Sequence, residues 1–189
     1  LFILCLIDYP ASSNHLTVKY ELYLRLVDEF IQSSKEKLPN CHWSIKVIGK
    51  IFLVQPDFVE HIGIGKASKL VSKCIDSFVK PTTEKHVTNN LFLSSGITLN
   101  AVKIIQAVLM GYWKDNEKTK RIILESCTGN KKGNWLTTIL WNNRSTFIRT
   151  SAFDIGNTLS LSPSGVEFLT NSGKCNEIFW LKLASVLLD

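Results

Sequence analysis

The sequence predicts an α+β chain: a small α/β part over residues 1–80, a linker with a helix and a basic loop over 81–133, and an antiparallel β-meander over 134–189. Between Asn134 and Leu188, short apolar and β-branched runs are cut by four turn signals at near-regular spacing. From residue 1 to 54 the hydrophobic pattern reads strand, helix, strand, the order of a β-α-β crossover with a partly parallel sheet. Elsewhere apolar residues repeat at helical spacing.

Taken in order, Leu1 to Ile7 is a continuous apolar run ended by Asp8, Tyr9 and Pro10, and at that length reads as a buried strand. Leu16 to Lys37 reads as a helix, with Tyr20, Leu24, Val27 and Ile31 on one face, Tyr23 and Phe30 beside them, and Pro39-Asn40 as the stop. Trp43 to Val54 reads as one bent strand or two short ones, with Gly49 inside. Asp57 and Glu60 have capping-box spacing for a short helix. Leu70, Val71, Cys74, Ile75 and Phe78 make a helical core stripe stopped at Lys80-Pro81. Leu91 to Leu93 reads as a short strand. Thr98 or Asn100 caps a helix whose Ala101, Ile104, Ile105, Val108 and Tyr112 share a face. Trp113 to Lys118 is a charged turn, Arg121 to Glu125 a strand by composition, and Gly129 to Gly133 a basic loop.

The meander follows. Trp135, Thr137, Ile139 and Trp141 alternate with Leu136, Thr138 and Leu140. Asn142-Asn143 is the first turn, and Thr146, Ile148 and Thr150 then alternate with Phe147 and Arg149. Asp154 to Asn157, Pro163-Ser164-Gly165 and Asn171 to Lys174 supply the other three turns. Ile178 to Leu188 closes the chain, although Phe179, Leu183 and Val186 also fit one helical face.

Composition bounds the function classes. A chain of 189 residues suits one domain or two closely packed small ones. No window of about 18 residues is wholly apolar, so no membrane span is expected. The chain has no initiator Met and Leu1 to Ile7 lacks a basic leader, so it is read as a fragment without a signal peptide. The formal charge is +6, dispersed as 11 basic and 9 acidic side chains over residues 1–95 and 11 and 7 over 96–189. Nucleic-acid binding usually concentrates such an excess on one face. Five cysteines, an odd number without C-x-x-C spacing, point to free thiols in a reducing compartment, hence an intracellular setting, cytoplasmic or nuclear. Asn143-Arg144-Ser145 matches a glycosylation sequon, which means little without a secretory signal.

No pattern for chemistry stands out. His61 to Ser68 echoes a phosphate loop, but one residue separates Gly63 from Gly65 and Ala67 follows Lys66, so a glycine-punctuated helix entry is the simpler reading. Cys41, His42, His61, Cys74 and His86 lack the spacing of a zinc site. Ser164 sits in a turn with no base in sight, and Asp8 is a lone carboxylate at a strand end. No cofactor is expected. The densest basic group is Lys114, Lys118, Lys120, Arg121, Lys131 and Lys132, bracketed by Trp113 and Trp135. Stacking aromatics with phosphate contacts hold single strands, so these cations are the candidate nucleic-acid contacts.

Leu159 to Leu169, followed by Ile178-Phe179-Trp180, resembles part of the pleckstrin-homology superfold, as found in phosphotyrosine-binding domains and the third lobe of FERM domains. The resemblance places residues 134–188 in that fold and implies peptide or phosphoinositide recognition, with no ligand residue to carry over. The functional expectation is a non-catalytic protein-interaction module, a subunit or fragment of a larger intracellular assembly. Trp135, Trp141, Phe179 and Trp180 are its candidate interface anchors. The alternatives are a nucleic-acid-binding subunit using residues 114–132 and a hydrolase-type enzyme.

Overall fold

In the computed structural model the described residues are 13–33, 38–76, 91–128, 135, 136, 139 and 145–171. Among them every regular element is a helix and none is a strand. The helices are α1 (Ser13–Gln32), α2 (Leu38–Val54), α3 (Phe58–Ile62), α4 (Ile64–Cys74), α5 (Leu91–Tyr112), α6 (Glu117–Thr128), α7 (Thr146–Ser160) and α8 (Pro163–Asn171).

Four of them occupy segments where helical spacing is plain. In α1, Tyr23, Val27 and Phe30 are buried, with Tyr20, Leu24 and Ile31 packed at their margins. Short α3 buries Phe58, Val59 and Ile62, and Phe58 meets the rings of Tyr20, Tyr23 and Phe52. Gly63, at φ 74°, turns the chain into α4, where Ala67, Leu70, Val71 and Cys74 face inward. In α5 the residues expected to share a face, from Ala101 to Tyr112, are buried, and so are Val102 and Leu109. That breadth follows from neighbours on three sides.

The α+β class, the β-α-β start and the meander are corrected by this architecture. Trp43 to Val54 belongs to α2, because a mostly apolar run broken only by Ser44, Lys46, Gly49 and Lys50 fits a buried helix as well as a strand. Leu91 to Leu93 opens α5, and Arg121 to Glu125 lies in α6. Thr146 to Thr150 alternates over five residues by chance. Over the full length of α7 the buried set is Ile148, Ser151, Ala152, Ile155, Gly156 and Leu159, a 3.6-residue repeat. Pro163-Ser164-Gly165 is the first turn of α8. Proline is favoured at the first helical position, and Ser162 caps by accepting from the Gly165 N–H at 3.1 Å. With helices over 146–171 and no strand described, the pleckstrin-homology resemblance fails with the meander. Trp135, Leu136 and Ile139 are helical and buried. The strand expected at 1–7 and the closing segment 178–188 lie outside the described residues.

Which helices touch defines two layers. In one, α2 packs on α5 and α5 on α7; in the other, α1 packs on α4, α4 on α6 and α6 on α8. The layers join through α1 with α2, α4 with α5, and α7 with α8, while α3 plugs the space between α1, α2 and α5. This is a stack of helical hairpins, each resting on its neighbours in the chain. Glycine sets two approaches. A Cβ on Gly49 would lie 2.6 Å from Asn100 Oδ1, and one on Gly111 would lie 2.5 Å from a Val59 methyl, so α2 and α3 sit closer to α5 than a larger residue permits. No helix among the described residues is long and apolar enough to cross a membrane.

Candidate functional site

The two layers differ in the chemistry they show to solvent. On α1 the exposed positions include Glu21, Arg25 and Glu29, on α4 Lys69, and on α6 Lys118, Arg121 and Glu125. These are solvated charges. Among the described residues, seven large hydrophobic side chains are exposed, and five of them, Trp43, Leu53, Val54, Met110 and Phe147, belong to α2, α5 and α7. Isolated exposed apolar groups are ordinary, but concentration on one layer marks a surface.

On that layer lies a groove of about 390 Å³ between α5 and the α2–α3 wall. Phe52, Leu53 and Pro56 line it from one side, and Ala107, Met110 and Gly111 from the other. The small residues Gly49, Ala107 and Gly111 keep its floor low. Leu53 is 72% exposed and Met110 53%, so both present their apolar ends to whatever enters. Lys103 and Lys114 stand on the α5 side, Asp57 and Glu60 on the other. Gln106, also in the lining, donates to Asp154 of α7 at 3.2 Å.

The expected capping box explains part of this rim by failing to form. Asp57 occupies the cap position of α3, yet its side chain makes no capping hydrogen bond. The first turn closes through backbone bonds instead, Phe58 to Gln55 and Val59 to Pro56. The Asp57 and Glu60 carboxylates are left on the rim of the groove.

A second depression, over Ser160 to Thr170 at the α7–α8 corner, is open and built from one continuous segment. Beside it the polar contacts serve folding. Ser164 Oγ donates to Glu117 Oε2 at 2.6 Å, and its backbone N–H reaches the same oxygen at 3.4 Å. Lys120 closes on the other Glu117 oxygen at 2.8 Å. The hydrogen bond from Lys120, joined by that from Ser164, holds the Glu117 carboxyl below the usual carboxylate range. A carboxylate is a favourable fit at a helix N-terminus: Glu117 stands at the start of α6 and accepts from Ser164 in the first turn of α8, so Ser164 ties the two helices together.

The cationic candidates separate. Lys114 stands at the groove and Lys118 on the outer face of α6. Lys120 is held by Glu117 and lies 5.7 Å from the Trp113 ring centroid, and Arg121 pairs with Glu167 at 3.4 Å. Lys131 and Lys132 are outside the described residues, as are Trp141, Phe179 and Trp180. Trp135 is buried in the core. Lys66, the lysine of the phosphate-loop echo, is 2.7 Å from Asp28. His61 packs on Tyr20 with ring centroids 4.4 Å apart, and Cys74 is a buried free thiol. Asp8 and His86 lie outside the described residues, and the side chains of Cys41 and His42 do too. Among the described residues no group of three or more His, Cys, Asp or Glu is placed to hold a metal ion. The sequence does not announce the groove: Leu53 reads within the apolar run Trp43 to Val54, and no role is expected of Met110. The signal was present in Ile51 to Val54, four consecutive apolar residues at the end of α2, which a single buried face does not require.

The chain matches no family model, no curated protein and no solved structure. The groove therefore carries the functional argument.

Proposed function

We propose that the chain is a non-catalytic interaction module, part of a larger intracellular assembly, and that it docks a protein partner along the α2–α5–α7 layer. The groove is the observation that carries this reading: exposed Leu53 and Met110 stand over an apolar floor on the layer that holds five of the seven exposed large hydrophobic side chains among the described residues. Stacked helical hairpins suit the role, since they expose a long continuous surface on one layer. The rival nucleic-acid reading has fewer free cations to draw on, because Lys120 and Arg121 are committed to Glu117 and Glu167.

The test is affinity purification of the native protein with Leu53→Asp or Met110→Asp. A partner held by the parent and lost from both variants, with unchanged thermal melting, supports the reading. Charge reversal at Lys131 and Lys132 should leave that partner bound. Identical partners for parent and groove variants, together with DNA or RNA binding that falls steeply with salt and disappears on the lysine reversal, would sink it.

A further inference from the structure

We infer that the groove takes an amphipathic helix of the partner protein, and that its oppositely charged walls fix the direction in which that helix lies. The inference rests on the docking role proposed above and adds the occupant. Lys103 and Lys114 mark the α5 side, Lys103 within the helix and Lys114 two residues past its end at Tyr112. Asp57 and Glu60 mark the facing wall. None of these four side chains forms an ion pair among the described residues, whereas Lys66, Lys120 and Arg121 all do. Between the walls the surface is apolar. An entering segment must therefore supply an apolar ridge with acidic groups along one flank and basic groups along the other.

A helix meets that demand with residues at i, i+3, i+4 and i+7 for the ridge and neighbouring positions for the flanks. Strand addition needs an exposed sheet edge, and no strand is present among the described residues. An anionic lipid surface would be drawn to Lys103 and Lys114 but repelled by Asp57 and Glu60 beside the same apolar groups. Turning a bound helix end for end exchanges its flanks. Only one direction then sets acid against lysine and base against carboxylate, and the other sets like charges together.

The experiment uses three synthetic peptides of about 18 residues, about 27 Å long as helices. They share a leucine ridge and differ in their flanks: one acidic with one basic, both acidic, or both basic. Fluorescence anisotropy against the whole chain should rank the mixed peptide tightest by several-fold. A spin label at one end of that peptide should broaden amide signals at one end of the groove only. Lys103→Glu with Lys114→Glu makes both walls acidic and should transfer the preference to the basic-flanked peptide, while circular dichroism checks that the fold is kept. Equal affinity for all three peptides, or broadening at both ends of the groove, overturns the inference. If all three then lose binding with Met110→Asp, the docking role of the groove survives without its polarity. Binding to phosphatidylserine vesicles that is lost on the double lysine reversal, with no peptide bound, overturns the inference in favour of a lipid surface. If no peptide binds and Met110→Asp also leaves the native partners unchanged, the docking reading falls as well.

Discussion

Replacing Gly165 with Ala tests the tightest junction in the stack. Gly165 lies in the first turn of α8, against the end of α7. A Cβ built there would stand 2.7 Å from the Leu159 carbonyl carbon, 2.9 Å from its Cα and closer still to its oxygen. Ordinary contact begins near 3.4 Å, so α8 must back away by at least about 0.7 Å. The obstacle is backbone, which has no rotamer to change. The shift also loads the Ser162 cap and the Ser164–Glu117 contacts. Overpacking costs about 1–3 kcal/mol, and a backbone neighbour puts this site at the upper end. Alanine returns about 1 kcal/mol of helix propensity, leaving a net loss of about 2 kcal/mol. For a chain of this size, that lowers the Tm by about 4–8 °C. The control is Gly96→Ala in α5, where nothing lies within 4 Å of the added carbon. There the propensity gain stands alone and should raise the Tm by about 2–4 °C. Melting curves of the two variants should move in opposite directions. A Gly165→Ala protein as stable as its parent would show that α8 does not close on α7 as described.

Other outcomes follow from single contacts. Glu117, with its folded pKa lowered by Lys120 and Ser164, stabilises the fold above its unfolded value, and that contribution fades as pH falls through the folded one. The Tm advantage of the parent over Glu117→Gln should thus be present at neutral pH and shrink below about pH 4; a difference that grows with acid would contradict the linkage. Tyr112 donates to the Val59 carbonyl at 3.2 Å in a buried setting, so Tyr112→Phe should cost about 0.5–1.5 kcal/mol and speed amide exchange in α3, and unchanged melting would remove that tie. Burial pushes the Cys74 thiol far up, Lys73 opposing only in part, and Cys127 is also a buried thiol in no disulfide. Both should resist alkylation in the native protein and react once it is unfolded, as read by mass spectrometry of the labelled peptides; labelling at the unfolded rate before unfolding would place them at the surface.

Legibility of the fold tracked amphipathicity. Helix α1 mixes Glu21, Arg25 and Glu29 with Tyr23, Val27 and Phe30, so its period is visible, and α4 shows the same contrast. Helix α2 carries Ile45, Val47, Ile48, Ile51, Phe52, Leu53 and Val54 with only two lysines among them, and β-branched content then argues for a strand. Local end signals were the better guide. Asn116 accepts from the Thr119 N–H at 3.0 Å and is followed by Glu117, a helix start hidden inside a supposed charged turn. Ser162-Pro163 announces α8 in the same way. In α7, a two-residue alternation over Thr146 to Thr150 competed with a 3.6-residue repeat extending to Leu159, and the longer window decides. The groove was beyond a linear reading. Lys103 and Asp57 line one groove where glycine lets α2 and α3 settle against α5.

The distribution of charge follows from the same stacking. A hairpin at the end of such a stack has one neighbour and an interior hairpin has two, so α5, between α2 and α7, has little surface left to show. In the second half of α5 Met110 is exposed and Lys103 and Gln106 are half-buried, and Lys114 is exposed just past the helix. Met110 at 53% exposure does not contribute its full apolar area to the core, and a polar residue there would cost the isolated fold little. Neither would a polar residue at Leu53. Folding alone gives no reason for two apolar side chains to face each other across an open groove between charged walls. The proposed docking of a partner's apolar ridge would cover them, and would put Asp57, Glu60, Lys103 and Lys114 at the rim of the contact, where charges set partner choice and orientation more than affinity.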